Sequence, residues 1–174
     1  MGSILRNRPV KLITSFIFNQ QLLLDRAKVI LKRHFGPIDF ESQVFTFNYT
    51  DYYQKEMGGD LKRSIISFKK LILPETLSKI KLLTNKIEAK LSIKGSRCVN
   101  IDPGYIDLAK LVLASTKDFS HRIYLGQGIY AEVTLSFKHK SFENNPWTYP
   151  DYRTPDYINI FNSIREIYAG AIKK

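Results

Sequence analysis

Residues 97–137 read RCVNIDPGYIDLAKLVLASTKDFSHRIYLGQGIYAEVTLSF, and this stretch decides the fold. In its second half Ile129, Ala131, Val133, Leu135 and Phe137 alternate with Tyr130, Glu132, Thr134, Ser136 and Lys138. A period of two over ten residues predicts a strand with one buried face. His121–Leu125 precedes it across Gly126-Gln127-Gly128, so the two segments read as a hairpin. A two-residue loop at Gln127-Gly128 would set Leu125 against Tyr130 and Ile123 against Glu132, mixing apolar with polar. A three-residue loop matches every pair: Leu125 with Ile129, Tyr124 with Tyr130, Ile123 with Ala131, Arg122 with Glu132. Arg122, Tyr124, Tyr130 and Glu132 would then share the face opposite the apolar core. On an exposed face the Arg122–Glu132 pair contributes about 0.2–1 kcal/mol.

Earlier in the stretch, Arg97–Ile101 reads as a short strand. Asp102-Pro103-Gly104 is expected to stop it, because Pro cannot donate to a ladder and Gly tolerates positive φ. The segment from Ile106 to Leu113 reads as a short helix with an imperfect apolar stripe.

Working outward, Lys11–Phe18 (KLITSFIF) is a compact apolar run that predicts an inner strand. Asn19 is placed to cap the next helix, whose stripe is Leu23, Ala27, Ile30 and Leu31, and Gly36-Pro37 ends it. Gln43–Asn48 and Arg63–Leu71 read as strands, with a Tyr-rich, acid-rich loop between them. Pro74 starts a second helix with Leu77, Ile80, Leu83, Ile87 and Leu91 inward. Lys138-His139-Lys140 reads as a turn and Ser141–Arg153 as irregular. Thr154-Pro155 starts a last helix with Tyr157, Phe161, Ile164, Tyr168 and Ala171 inward. The expected fold is therefore α+β, one domain over residues 1–174. Its core would be a ferredoxin-like βαββαβ unit with an added β-hairpin and C-terminal helix. A different mixed α/β sheet is the rival. Both long loops carry an Asp-Tyr pattern, Asp51-Tyr52-Tyr53 and Asp151-Tyr152.

The chain carries a net charge of +11, and residues 61–96 hold 9 basic against 2 acidic side chains. Cys98, the single cysteine, excludes an internal disulfide and points to a reducing compartment, so a cytoplasmic location is expected. No apolar run reaches the ~20 residues of a membrane span, and no signal peptide is read. Gly2 matches a myristoylation start, but Arg6 stands where Ser or Thr is needed. His34, His121 and His139 lack metal-ligand spacing, so no metal and no cofactor is expected.

Asp102, His121 and Glu132 are the candidate proton-transferring residues. Tyr105, Lys110, Lys117, Arg122, Tyr124 and Tyr130 are the candidate ligand-binding residues, with cations suited to a phosphoryl or carboxylate group. This set implies a small anionic ligand, phosphorylated or nucleotide-like, and leaves enzymatic turnover open. Solvated lysines and a cross-strand ion pair explain the same residues without function. Lys79, Lys86 and Lys90 share one helix face, which makes RNA an alternative partner. A protein-interaction or structural role is the third reading.

The phrases Asp102-Pro-Gly-Tyr105, Lys110-Leu-Val-Leu-Ala-Ser-Thr-Lys117, His121-Arg-Ile-Tyr-Leu-Gly-Gln-Gly-Ile-Tyr-Ala-Glu-Val133 and Trp147-Thr-Tyr-Pro-Asp-Tyr-Arg153 resemble a family of uncharacterised bacterial proteins classed as a domain of unknown function. The likeness runs from about Pro9 to Tyr168 and implies a bacterial cytoplasmic protein of one domain. Some members carry a GTP-binding label. The sequence holds no Gly-x-x-x-x-Gly-Lys-Ser/Thr loop to cradle phosphates, and Gly126-Gln127-Gly128 lies in a hairpin rather than ahead of a helix.

Overall fold

A computed structural model describes residues 7–173 of the chain. Gly2 and Arg6, on which the myristoylation reading turned, lie outside the described residues. The strands are β1 Lys11–Phe18, β2 Ile38–Glu41, β3 Phe45–Thr46, β4 Lys62–Phe68, β5 Val99–Ile106, β6 Lys110–Ser115, β7 Ile123–Gly126, β8 Ile129–Lys138 and β9 Ser141–Asn144. The helices are α1 Gln21–Phe35, α2 Gln54–Met57, α3 Leu77–Lys90 and α4 Pro155–Ala171, with 3₁₀ turns at Pro74–Thr76 and Asp151–Arg153. Among the described residues nine strands form one antiparallel sheet in the order β2-β4-β1-β5-β6-β8-β7, with β3 on β4 and β9 on β8. The α+β class is as the sequence implied. Among the described residues no helix is long and apolar enough to cross a membrane.

The middle of the sheet is buried on both faces. β1 runs through its middle with all eight residues buried, which is why KLITSFIF is nearly continuous rather than alternating. Leu12, Phe16 and Phe18 meet Leu24, Ala27 and Leu31 of α1 and Ile80 and Ile87 of α3 on one side. Ile13 on the other side packs with Tyr157, Phe161 and Ile164 of α4. α1 begins without the expected cap: Gln20 stands at the N-cap with no side-chain bond, and Asn19 donates instead to the Met57 carbonyl. The expected strand over Gln43–Asn48 resolves into short β3, and the main partner of β4 at that edge is β2. Ala171, expected inward, is exposed at the end of α4.

Asp102-Pro103-Gly104 does not end a strand. It lies inside β5, paired with Ser15, Thr14 and Ile13 of β1. The turn comes later, where Asp107 Oδ1 accepts from the backbone N–H groups of Ala109 and Lys110 at 2.7 and 2.8 Å. The expected helix over Ile106 to Leu113 is strand β6, because Leu111 and Leu113 face α4 while Val112 and Ala114 face α3. A strand apolar on both faces has no alternation to read.

β5 and β6 stay paired only from Gly104–Leu113 to Ile106–Leu111, and then they diverge. A Cβ on Gly104 would lie 2.3 Å from the Val112 carbonyl oxygen, so only glycine permits this approach. β8 carries a second irregularity: Leu111 faces Leu135 and Val112 faces Val133, leaving Thr134 as a bulge. The bulge switches faces, so Ile129, Ala131 and Val133 pack toward α3 whereas Leu135 and Phe137 pack toward α4. The hairpin keeps the expected Tyr124–Tyr130 and Ile123–Ala131 pairs, but Gly126 faces Ile129 and Leu125 is set aside at 40% exposure. The loop is thus the two residues Gln127 and Gly128, with φ of 58° and 74°.

Gly104→Ala should lower stability by about 3 kcal/mol or more, since the new methyl meets backbone rather than a movable side chain. Urea denaturation checks this; a loss under about 1 kcal/mol would show that the strands can part without cost.

Candidate functional site

The divergence of β5 and β6 opens a cavity of about 510 Å³, within the range typical of small-molecule sites. Its walls are β5, β6, β8 and α3, and the loops at 47–53 and 149–152 cover it. Seven aromatic side chains line it: Phe47, Tyr49, Tyr52, Tyr53, Phe119, Tyr149 and Tyr152.

A split sheet leaves backbone groups without strand partners, and α3 supplies them. Glu88 Oε1 accepts the Ile101 N–H at 2.6 Å, and Lys81 Nζ donates to the Ile101 carbonyl at 3.0 Å. Pro103 directs its nitrogen to the same side as Ile101, two residues on, and has no N–H to satisfy. Lys81 also pairs with Asp102 at 3.0 Å, and Asn100 donates to Asp102 at 2.7 Å. Arg97 joins Glu88 at 3.4 Å and Glu56 at 2.8 Å.

These contacts drive the carboxyls apart. Burial opposes the charge of Asp102, but Lys81, Arg63 and Asn100 together hold its carboxyl below the ordinary carboxylate range. Burial dominates at Glu88 and pushes it up, against the pull of Lys81 and Arg97. Burial likewise raises Asp151, despite Arg63 beside it. Two carboxyls of unlike acidity in one cavity are an arrangement able to move protons. Among the described residues no three His, Cys, Asp or Glu side chains gather in a way that could hold a metal ion.

On the β8 side, Glu132 takes Arg122 Nε at 2.8 Å, His121 Nε2 at 3.3 Å and Thr134 Oγ1 at 3.2 Å. Both Arg122 and Glu132 side chains are only 2% exposed, so this pair is a buried one and not the solvated cross-strand pair its alternation implied. His121 stacks between Phe119 and Trp147, at centroid distances of 5.9 and 5.3 Å. Lys117 sits at the exposed rim with Nζ 3.9 Å from the centre of the Tyr52 ring.

Of the candidate residues, Asp102, Lys117, Arg122 and Glu132 line the cavity, and His121 touches it through Glu132. Tyr105 and Lys110 lie elsewhere, in a shallow groove where Lys110 pairs with Asp107 at 2.8 Å. Tyr124 and Tyr130 pack against each other on the hairpin, outside the cavity. Lys79, Lys86 and Lys90 are exposed on α3. Sequence reasoning missed Arg63, Lys81, Asn85, Glu88 and Arg97. Lys81, Thr84 and Glu88 are buried at helical spacing, a polar stripe beside the apolar one. The repeated Asp-Tyr pattern was the signal for the covering loops, since Tyr52, Tyr53, Asp151 and Tyr152 all line the cavity.

Residues 8–168 match a family described as Domain of unknown function (DUF4416). The chain belongs to that family. No curated protein and no solved structure is matched by it. The family therefore brings no catalytic residues to the cavity, and its chemistry has to be read from the side chains themselves.

Asp102 gives a test of the charge network. Its folded pKa is lowered, so its ionised form adds stability that is complete above the ordinary value of 3.8 and is lost as pH falls through the folded value. Asp102→Asn should cost about 2 kcal/mol at pH 7, with the deficit vanishing in strong acid. Parallel urea titrations of both proteins from pH 7 down to the acid limit check this; a pH-independent deficit would put its origin elsewhere.

Proposed function

We propose that the cavity binds a small anionic, nucleotide-like ligand, with its charged group at the rim and a flat ring inside. One observation carries this. Arg63, Lys81, Arg97 and Arg122 each have a carboxylate partner, while Lys117 has none among the described residues. An anion is therefore best neutralised at Lys117, and the interior, where charges are balanced, suits an uncharged ring. Aromatic walls supply stacking surfaces for such a ring. The Thr116 hydroxyl and the Asn85 carboxamide make no hydrogen bond among the described residues and remain for ligand contacts.

Whether turnover follows binding rests on Glu88 and Asp102, whose opposite pKa shifts suit an acid and a base. The strand order β2-β4-β1-β5, with α1 and α3 on one face, supports a ferredoxin-like βαββαβ core as the frame of the site. The single buried thiol of Cys98 is in keeping with a cytoplasmic location.

Lys117→Ala should weaken binding of a nucleoside monophosphate about tenfold and leave that of the parent nucleoside unchanged. Isothermal titration with the two ligands separates phosphate recognition from ring recognition. Equal losses for both would remove Lys117 from the anion site.

A second reading has its own support: Lys79, Lys86 and Lys90 are exposed together on α3. If that face binds RNA, replacing all three with Glu should weaken binding and flatten its salt dependence. Filter binding at about 100 mM salt tests this, and an unmodified protein that retains no RNA rules the face out.

A further inference from the structure

Four carboxylates line the cavity, and three of them are sealed. The side chains of Glu88, Glu132 and Asp151 are 9, 2 and 3% exposed, and each has an arginine beside it. Asp102 differs. It sits on β5, in the middle of the sheet, yet its side chain is 28% exposed because it faces the cavity. Asp102 is therefore the carboxylate that an incoming molecule can touch.

Its two oxygens are held by one partner each. Oδ1 takes the Lys81 ammonium at 3.0 Å, and Oδ2 takes the Asn100 carboxamide at 2.7 Å. An ionised carboxylate offers about four acceptor positions, two on each oxygen. Among the described residues one position per oxygen stays open, and the two lie side by side. Burial opposes the charge, but Lys81, Arg63 and Asn100 outweigh it, so the group accepts and does not donate at neutral pH. Charge then narrows the partner. A second anion meets the carboxylate itself, and a cation meets Lys81 and Arg63. Neutral O–H or N–H donors meet neither penalty, and two adjacent ones fill both positions.

The lining is sorted by element. Tyr49, Tyr52 and Tyr53 come from one covering loop and Tyr149 and Tyr152 from the other, so these loops carry the stacking faces. The strand and helix beneath them, β5 and α3, present polar groups instead, Asp102 and the unbonded Asn85 among them. A flat ring stacks on the loops, and the part of the ligand that meets Asp102 is its hydroxylated body. In a nucleotide that body is the ribose, whose 2′- and 3′-hydroxyls are two adjacent neutral donors.

We propose that Asp102 is the specificity-determining residue of the cavity and holds the vicinal diol of a ribose, so that the ligand is a ribonucleotide and not its deoxy counterpart. This rests on the nucleotide-like ligand argued above. The two claims separate experimentally, because a ribonucleotide and its 2′,3′-dideoxy form share phosphate and ring and differ in the diol alone.

Isothermal titration of the full chain uses adenosine 5′-monophosphate, uridine 5′-monophosphate and the 2′,3′-dideoxy form of each. For a base that binds, the ribonucleotide should bind at least about tenfold tighter than its dideoxy form, since a site built to take a substrate hydroxyl rejects the analogue lacking it. Asp102→Asn turns one acceptor into a donor. It should weaken the ribonucleotide, spare the dideoxy form and shrink the preference to within about twofold, with thermal melting followed by circular dichroism to verify folding. Should that variant fail to fold, Asp102→Glu takes its place with the same expected loss, because it keeps the charge and moves the oxygens by one methylene. No binding of any of the four nucleotides overturns the reading of the site and this proposal with it. Equal binding of a ribonucleotide and its dideoxy form overturns the diol assignment alone. A preference that survives undiminished in the folded variant overturns the role of Asp102.

Discussion

Much of this structure depends on one close approach, that of Gly104 in β5 to the backbone of Val112 and Leu113 in β6. There the two central strands are still paired; a few residues further along they are not. A sheet that opens in its middle exposes backbone donors and acceptors on both new edges, and each buried unpaired group costs about 1–3 kcal/mol. Along β5 the chain meets this cost with side chains. Glu88 and Lys81 serve as the absent strand along β5, and Pro103 removes a donor that would otherwise need a partner. The docking of α3, the sealing of β5 and the existence of the cavity are therefore one constraint seen from three sides.

That constraint explains what was legible in the sequence and what was not. α1, α3 and α4 followed from apolar period and punctuation, because each buries one stripe against the sheet, and β1 and β4 followed as compact apolar runs, because both their faces are covered. Asp102-Pro103-Gly104 was misread for a physical reason. Pro and Gly ordinarily break strands, but at a split they are what a strand needs: no surplus donor, and no side chain at the crossing. β6 was misread because both its faces are apolar. β8 was read correctly as a strand and wrongly as one-faced, since the bulge at Thr134 inverts its sidedness halfway and carries Glu132 and Thr134 into buried positions.

The candidate site was legible only in part, and the division is again physical. Asp102, Lys117, Arg122 and Glu132 sit where β5, β6 and β8 border the split, so their nearness in sequence became nearness in space. Tyr105 and Lys110 lie past Gly104, on the paired side, and the same strands carry them away from the opening. Lys81 and Glu88 were hidden because charged residues on a helix usually face water. Only the fold shows that they stand in for a strand.

The buried Glu132–Arg122 pair fits the same logic and gives it direction. Burying such a pair earns little stability by itself, so its geometry matters more than its energy. Arg122 Nη1 donates to Ser115 Oγ at 3.0 Å and to the Lys117 carbonyl at 2.9 Å, while the Lys117 N–H donates to the same Ser115 Oγ at 3.1 Å. Arg122 Nη2 reaches the Tyr149 hydroxyl at 3.1 Å, and Nε rests on Glu132. One guanidinium thus ties the end of β6, the covering loop and β8 together at the rim. The segment that carries Lys117 is held by backbone contacts, and among the described residues its ammonium has no carboxylate partner and lies over the Tyr52 ring. Paired charges fix the frame of the cavity, and among the described residues Lys117 is the charge on its lining that has no oppositely charged partner.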